Sequence, residues 1–190
     1  LRIARIESGT HDEAWTDIDL GALLHDAWEL YHAVGEEKEI TVHLGAASGH
    51  MRGDRDLIFQ AVSNLLDNAI KYSPAGSDVR LEMRDEDGHL TIIVSDQGPG
   101  VPEAERGKVL DRFYRTAIVT GIPGSGLGLS LVNAIARHHG GQLILADNAP
   151  GLRVLLELPK TDLTGPAAVP EAGLSRAARP AASPTGASHG

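Results

Sequence analysis

The sequence predicts an α/β (α+β) two-layer sandwich in which a mixed, largely antiparallel sheet is covered on one face by three helices. Three observations point there. Apolar residues recur at helical spacing in three long segments, strand-like runs occur as two hairpin pairs, and no regular β-α alternation connects them. The 190 residues are 42% hydrophobic and 23% charged, the balance of an ordinary globular domain, so collagenous, mucin-like and wholly disordered architectures are excluded.

Residues 1–7 place Leu1, Ile3 and Ile6 at helical spacing before Gly9, so residues 1–9 are expected to be the end of a helix and a linker. The chain starts at Leu1 rather than Met and shows no signal-peptide pattern, so it is expected to be a piece of something longer. A single domain is expected over 10–159. Asp19 can cap a helix over 20–36, where Leu23, Leu24, Ala27, Leu30, Tyr31 and Val34 recur at spacings of three and four. Residues 40–44 alternate like a strand. Asp54 opens a helix that runs to Tyr72 and stops before Pro74, because the residue preceding a proline is pushed out of the helical region.

Residues 79–84 and 90–95 predict two strands joined by the turn Glu86-Asp87-Gly88. Pro102 suits the first turn of a helix to Leu110, and an irregular, glycine-bearing stretch follows over 112–126. A further helix over 127–139 is closed by Gly140 and Gly141, and strands over 142–146 and 152–158 flank a turn at 148–151. Residues 160–190 hold eight Ala, four Pro, four Gly and three Ser without an aromatic residue, which predicts a disordered tail that cannot offset its ordering entropy by burial.

Charge and composition narrow the function. A formal charge of −9 argues against a nucleic-acid or anionic-membrane footprint, so any anionic ligand needs a local device to hold it. The absence of cysteine removes disulfides, thiolate metal sites and thiol nucleophiles. The longest apolar stretch, 127–136, is about half the roughly 20 residues needed to span a bilayer.

Three segments carry chemistry. On the 54–72 helix, Gln60, Asn64, Asn68 and Lys71 share an arc of about 80°, opposite Ile58, Val62, Leu65, Leu66 and Ala69. Carboxamide oxygens suit a hard cation such as Mg2+, and a lysine one turn away can neutralise phosphate oxygens; the same pattern also fits a solvated polar face. After the apolar strand stands Asp96-Gln97-Gly98-Pro99-Gly100, where a carboxylate can accept from an adenine amino group and glycines allow close backbone approach, or where the chain simply turns. Gly121, Gly124, Gly126 and Gly128 then lead into the 127–139 helix, whose N-terminal N–H groups can hold phosphate, although such loops also serve packing.

Together these segments resemble a known family. The run Asn64-Leu-Leu-Asp-Asn-Ala-Ile-Lys-Tyr-Ser is similar to the N box of the GHKL ATPase superfamily in its sensor histidine kinase form, Asp96-Gln-Gly-Pro-Gly to the first glycine box, Asp111-Arg-Phe-Tyr-Arg to the F box, and Gly124-Ser-Gly-Leu-Gly-Leu to the second glycine box. Order and separations also agree, and the similarity extends from Leu1 to Pro159. The resemblance implies a Bergerat ATP-binding fold holding Mg2+-ATP under a mobile lid. By motif position, Asn68 would coordinate Mg2+, Asn64 and Lys71 would approach the phosphates or the metal, and Tyr72 would flank the adenine. Asp96 would accept from its amino group, helped by Gly98 and Gly100. Phe113 would anchor the lid and Arg115 could reach phosphate. Gly124, Gly126 and Gly128, with Leu127 between them, would let the lid close over the triphosphate.

The resemblance further implies a protein-histidine kinase, cytoplasmic, with a parent homodimer that can be anchored in the inner membrane, a histidine-bearing dimerisation domain and a response regulator receiver domain as partners, and no contact with nucleic acid or membrane from this chain. Hydrolysing relatives such as gyrase, MutL and the Hsp90 chaperones carry a glutamate base four residues before the metal asparagine. That position is Asn64 here, which cannot act as a base. The phospho-acceptor motif of sensor kinases is absent from all nine histidines: His11 and His25 precede acidic residues but lack the Thr-Pro that follows it. Autophosphorylation of this chain alone is therefore not expected.

Two rival readings arise from the same residues. A short-chain dehydrogenase reading of 117–147 fails on glycine spacing and on the lack of Tyr-x-x-x-Lys, and Gly107-Lys108 is followed by Val109 rather than the Ser or Thr of a Walker loop. A non-catalytic nucleotide-binding or interaction module that regulates another kinase keeps the fold and drops the chemistry.

Overall fold

In the computed structural model the described residues are 15–86, 88–119, 121–122 and 124–160. The expected helix end at 1–9, the loop carrying His11 and the expected tail beyond Lys160 lie outside them. Thirteen elements follow in order: β1 (Thr16–Asp19), α1 (Leu20–Glu36), β2 (Thr41–Leu44), β3 (His50–Gly53), α2 (Arg55–Tyr72), β4 (Asp78–Glu86), β5 (His89–Ser95), three 3-10 turns, α3 (Gly128–His138), β6 (Gln142–Asp147) and β7 (Leu152–Pro159).

Five strands form one sheet in the order β2-β4-β5-β7-β6. The β2–β4 pair is parallel and the other three pairs are antiparallel, the mixed sheet expected. Alternate residues Val79, Leu81 and Met83 of β4, Leu90, Ile92 and Val94 of β5, and Val154, Leu156 and Leu158 of β7 enter one buried cluster with the apolar faces of all three helices. Their neighbours Arg80, Glu82 and Arg84 fall on the opposite side, so the helices cover a single face.

Helix starts follow the sequence closely. The Asp19 side chain accepts from Ala22 N at 3.1 Å, and Asp54 Oδ1 accepts from Asp56 N at 3.0 Å and Leu57 N at 3.1 Å. α2 ends at Tyr72, with extended Ser73 leading into Pro74, and buries Ile58, Val62, Leu65, Leu66 and Ala69 as the periodicity required.

Two readings need correction. The helix expected from Pro102 to Leu110 is two 3-10 turns, Glu103–Glu105 and Lys108–Leu110. Gly107 stands between them and Val109 is their single buried residue, so the segment has no apolar face with which to recover the cost of helix nucleation. The second small sheet, β1 against β3, was not anticipated. Each strand has four residues and one buried large side chain, Ile18 or Met51, and they pair across more than thirty positions of sequence, Ile18 opposite Met51. No described helix is long and apolar enough to cross a membrane.

Candidate functional site

α2, the end of β5 and the segment from Val109 to Leu129 enclose a cavity of about 200 Å3. Its floor is apolar, built from Val94, Val109, Leu129, Leu152 and Val154; its walls are Asn64, Asn68, Lys71, Tyr72 and Asp96. Asn64, Asn68 and Lys71 of the polar arc of α2 therefore face a cleft rather than open solvent.

Asn64 Nδ2 donates to the Gln60 carbonyl at 2.8 Å, which commits the amide nitrogen to its own helix. One turn on, Asn68 makes no hydrogen bond among the described residues. The first residue of α3 lies against both: a Cβ on Gly128 would sit 3.0 Å from Asn68 Nδ2 and 3.7 Å from Asn64 Oδ1. The glycine thus lets the N-terminus of an eleven-residue helix approach the two carboxamides. The Lys71 ammonium, 5.3 Å from the Tyr72 ring centroid, faces no carboxylate among the described residues. It lies beside Gly124, where a Cβ would come within 2.6 Å.

Asp96 is 8% exposed at the end of β5. Its Oδ1 accepts from Gly98 N at 2.8 Å and Leu152 N at 3.1 Å, which leaves Oδ2 without a hydrogen bond among the described residues. Burial pushes the carboxyl above its ordinary value, and the two backbone donors, Gly98 first, oppose that shift. A buried carboxylate with one free oxygen is an acceptor awaiting a donor. Gly98 lies behind Asp96 against the Tyr72 carbonyl, and Gly100 lines the cavity.

Above the cleft, the segment expected to form a lid is braced by backbone rather than by its aromatic residue. The Phe113 N–H donates to the Gly126 carbonyl at 3.0 Å, while the Phe113 side chain is 71% exposed. Arg115 lines the cavity, but its guanidinium donates to the carbonyls of Gly124, at 3.2 Å, and Ile122. It cross-ties the two arms of the segment. Tyr114 turns its hydroxyl to Glu105 Oε2 at 3.0 Å and presents its ring to the cleft. Leu127 is the N-cap residue of α3; its carbonyl accepts from Ser130 Oγ at 3.0 Å, and it does not line the cavity.

Asn64, Asn68, Lys71, Tyr72, Asp96, Gly100, Arg115, Gly124, Gly126 and Gly128 are thus brought to one cavity, and Gly98, Phe113 and Leu127 to its surround. The sequence reading missed buried Thr116 and the apolar floor. The floor draws its five residues from four elements far apart in sequence, and no local periodicity marks such a set.

Among the described residues no group of three or more His, Asp or Glu could hold a metal ion. Mg2+ fits the site only in the manner usual for it, with a few protein oxygens completed by ligand phosphates and water. Unpartnered Asn68, with Lys71 one turn away, meets that description.

The family model described as histidine kinase-, DNA gyrase B-, and HSP90-like ATPase matches residues 53–162. The signal transduction histidine-protein kinase/phosphatase MprB of Mycobacterium sp. (strain KMS) is 38% identical over 177 residues, covering 86% of this chain and 34% of that protein. The chain therefore spans about a third of that relative's length. A solved mycobacterial sensor histidine kinase MprB superposes with a TM-score of 0.66 at 35% identity, over 76% of this chain and 96% of that one. Full-length ShkA in complex with AMPPNP gives 0.73 at 25% identity, over 83% of this chain and 33% of that one.

Proposed function

The chain belongs to the histidine kinase-, DNA gyrase B-, and HSP90-like ATPase family, and we propose that it is the catalytic ATP-binding part of a sensor histidine kinase. It binds Mg2+-ATP and passes the γ-phosphoryl group to a histidine on a dimerisation domain, for relay to an aspartate of a response regulator receiver domain. The parent is a homodimer, and this part of it works on the cytoplasmic side of the membrane. The observation that carries the reading is the convergence of a free carboxylate oxygen on Asp96, the unpartnered Asn68 carboxamide, the Lys71 ammonium and the N-terminus of α3 on one cavity.

Each group has one task. Asp96 Oδ2 accepts from the adenine amino group, and the apolar floor of Val94 and Val154 takes the base out of water. Tyr72 flanks the base. Lys71 and the first N–H groups of α3 neutralise the triphosphate, and the Asn68 carboxamide oxygen holds Mg2+, which when bound supplies charge neutralisation across the phosphate oxygens. Asn64 carries no ionisable group, so no base for water lies where hydrolysing relatives keep a glutamate, and the acceptor must bring its own nucleophile. A binding partner such as AMPPNP, which the ShkA structure contains, matches this donor set.

Calorimetric titration of the 190-residue chain with AMPPNP, with and without Mg2+ and beside Asn68→Ala, tests the assignment. Wild type is expected to bind tightly only with metal, and the variant to lose that metal dependence while keeping its circular dichroism spectrum, since Asn68 ties no part of the described fold. Absence of binding by folded wild type would leave the family's fold without its nucleotide chemistry, as in a purely regulatory module.

A further inference from the structure

The turn between β6 and β7 packs directly against Asp96. Asn148 Nδ2 donates to the Asp96 carbonyl at 2.7 Å. Its Oδ1 accepts from Arg153 Nη2 at 2.9 Å, and Arg153 Nε in turn donates to Ser95 Oγ at 3.3 Å. The four residues Ser95, Asp96, Asn148 and Arg153 therefore close a ring around the peptide that carries the Asp96 side chain. The Arg153 guanidinium is a donor only, so it admits just one orientation of the Asn148 amide, the one that turns Nδ2 toward Asp96. Asn148 N also donates to the Gly151 carbonyl at 3.2 Å, which closes the turn on itself.

The same turn holds Asp96 from a second direction. Asp96 N donates to the Leu152 carbonyl at 2.9 Å, and Leu152 N donates to Asp96 Oδ1 at 3.1 Å. Gly151, with φ of 111°, packs so closely on the Asp96 carbonyl that a Cβ there would overlap it. Both the main chain and one carboxylate oxygen of Asp96 are thus set by residues 148–153, a segment that contributes no polar side chain to the cleft itself.

We infer that Asn148, oriented by Arg153, is a positioning residue for base selection: it fixes the Asp96 peptide so that Oδ2 points at the exocyclic amino group of a purine nucleotide. The inference rests on the adenine reading given above. Neither Asn148 nor Arg153 lines the cavity, so their effect is confined to the part of the affinity that depends on the Asp96 carboxylate.

The test uses the full chain, Mg2+, and two ligands, ADP and IDP, which differ at the purine six-position, where inosine replaces the amino donor with a carbonyl acceptor. Wild type is expected to prefer ADP; equal binding of both would overturn the adenine reading and this inference with it. Given a selective wild type, Asn148→Ala is expected to weaken ADP about five- to tenfold and to leave IDP unchanged. Unaltered selectivity, or equal weakening of both ligands, would overturn the positioning role while leaving the adenine reading in place. In an Asp96→Asn background the Asn148→Ala change is expected to alter ADP affinity no further. Should Asn148→Ala not fold, Arg153→Ala carries the test: its side chain is exposed, and it is expected to lower the ADP preference, with wild-type selectivity overturning the inference.

Discussion

The main-chain N–H of Asp54 donates to His139 Nε2 at 3.0 Å, joining the N-cap of α2 to the C-terminal end of α3. His139 is 2% exposed, its Nδ1 donates to the Ile135 carbonyl at 2.9 Å, and Trp15 stacks on the ring with centroids 5.2 Å apart. Both nitrogens are satisfied only in the neutral ring protonated at Nδ1. The helix that carries the carboxamides and the helix whose N-terminus faces them are thus tied at their far ends by a single imidazole.

That tie makes stability depend on pH. Burial lowers the His139 pKa from its ordinary 6.5, with neighbouring His138 adding to the shift and the Ile135 carbonyl and Asp54 opposing it. Below 6.5 the unfolded chain takes up a proton that the folded chain refuses, so stability is complete above 6.5 and is lost as the pH falls toward the lowered folded value. Thermal melts are expected to show a falling Tm on acidification through this window, with a shallower slope in His139→Gln. Parallel slopes in the two proteins would remove His139 as the cause.

Asp54→Ala takes away the acceptor for two orphan N–H groups of α2 but keeps the main-chain donor to His139. Unfolding by urea is expected to show a loss of about 1 kcal/mol, the ordinary worth of an N-cap. Asp54→Ser, which restores an acceptor, is expected to recover most of it.

Asp96→Asn keeps an oxygen for the Gly98 and Leu152 donors, so the fold is expected to survive. It sets an amide nitrogen, a donor, before the adenine amino group, and ADP affinity is expected to fall roughly 10- to 100-fold, the scale of one hydrogen bond to a charged group. Because burial raises the Asp96 pKa from its ordinary 3.8, wild-type affinity is also expected to decline at a higher pH than an ordinary carboxylate would permit. That component of the pH profile is absent from the variant.

Gly126 has φ of 70°, and a Cβ there would lie 2.9 Å from the Phe113 main-chain carbon. Gly126→Ala is expected to break the Phe113–Gly126 brace and to cost about 1–2 kcal/mol of local strain. Limited proteolysis between 112 and 126, faster in the variant than in wild type, is the measurement that checks it. Equal rates would mean the brace does not hold the segment.

Much of this molecule was legible in the residue order. The three long helices, five of the seven strands, and Asn64, Asn68, Lys71, Asp96, Gly98, Gly100, Gly124, Gly126 and Gly128 follow from local rules, an acceptor side chain before an amphipathic run, a proline that stops it, glycines before a helix start, whereas Tyr72, Phe113, Arg115 and Leu127 are implied only by the family resemblance. The 3-10 turns after Pro102 escaped because a helix N-terminal signal says nothing about whether an apolar face follows. The β1–β3 pair escaped because four-residue strands with one buried large side chain each leave no period to read.

The sequence by itself determined which faces are apolar, where each helix begins and which residue types are available for a cation, a phosphate and a purine amino group. Those are properties of spacing and of side-chain chemistry, and a chain carries them before it folds. Only the tertiary structure decided that Asn68 and Lys71 face a cleft rather than solvent, that Phe113 points outward while its backbone braces the segment above the cleft, and that residues 148–153 grip Asp96. Each depends on contacts between segments that are not neighbours in sequence, from thirteen positions apart for Phe113 with Gly126 to fifty-two for Asn148 with Asp96, whose geometry is set by sheet order and helix packing.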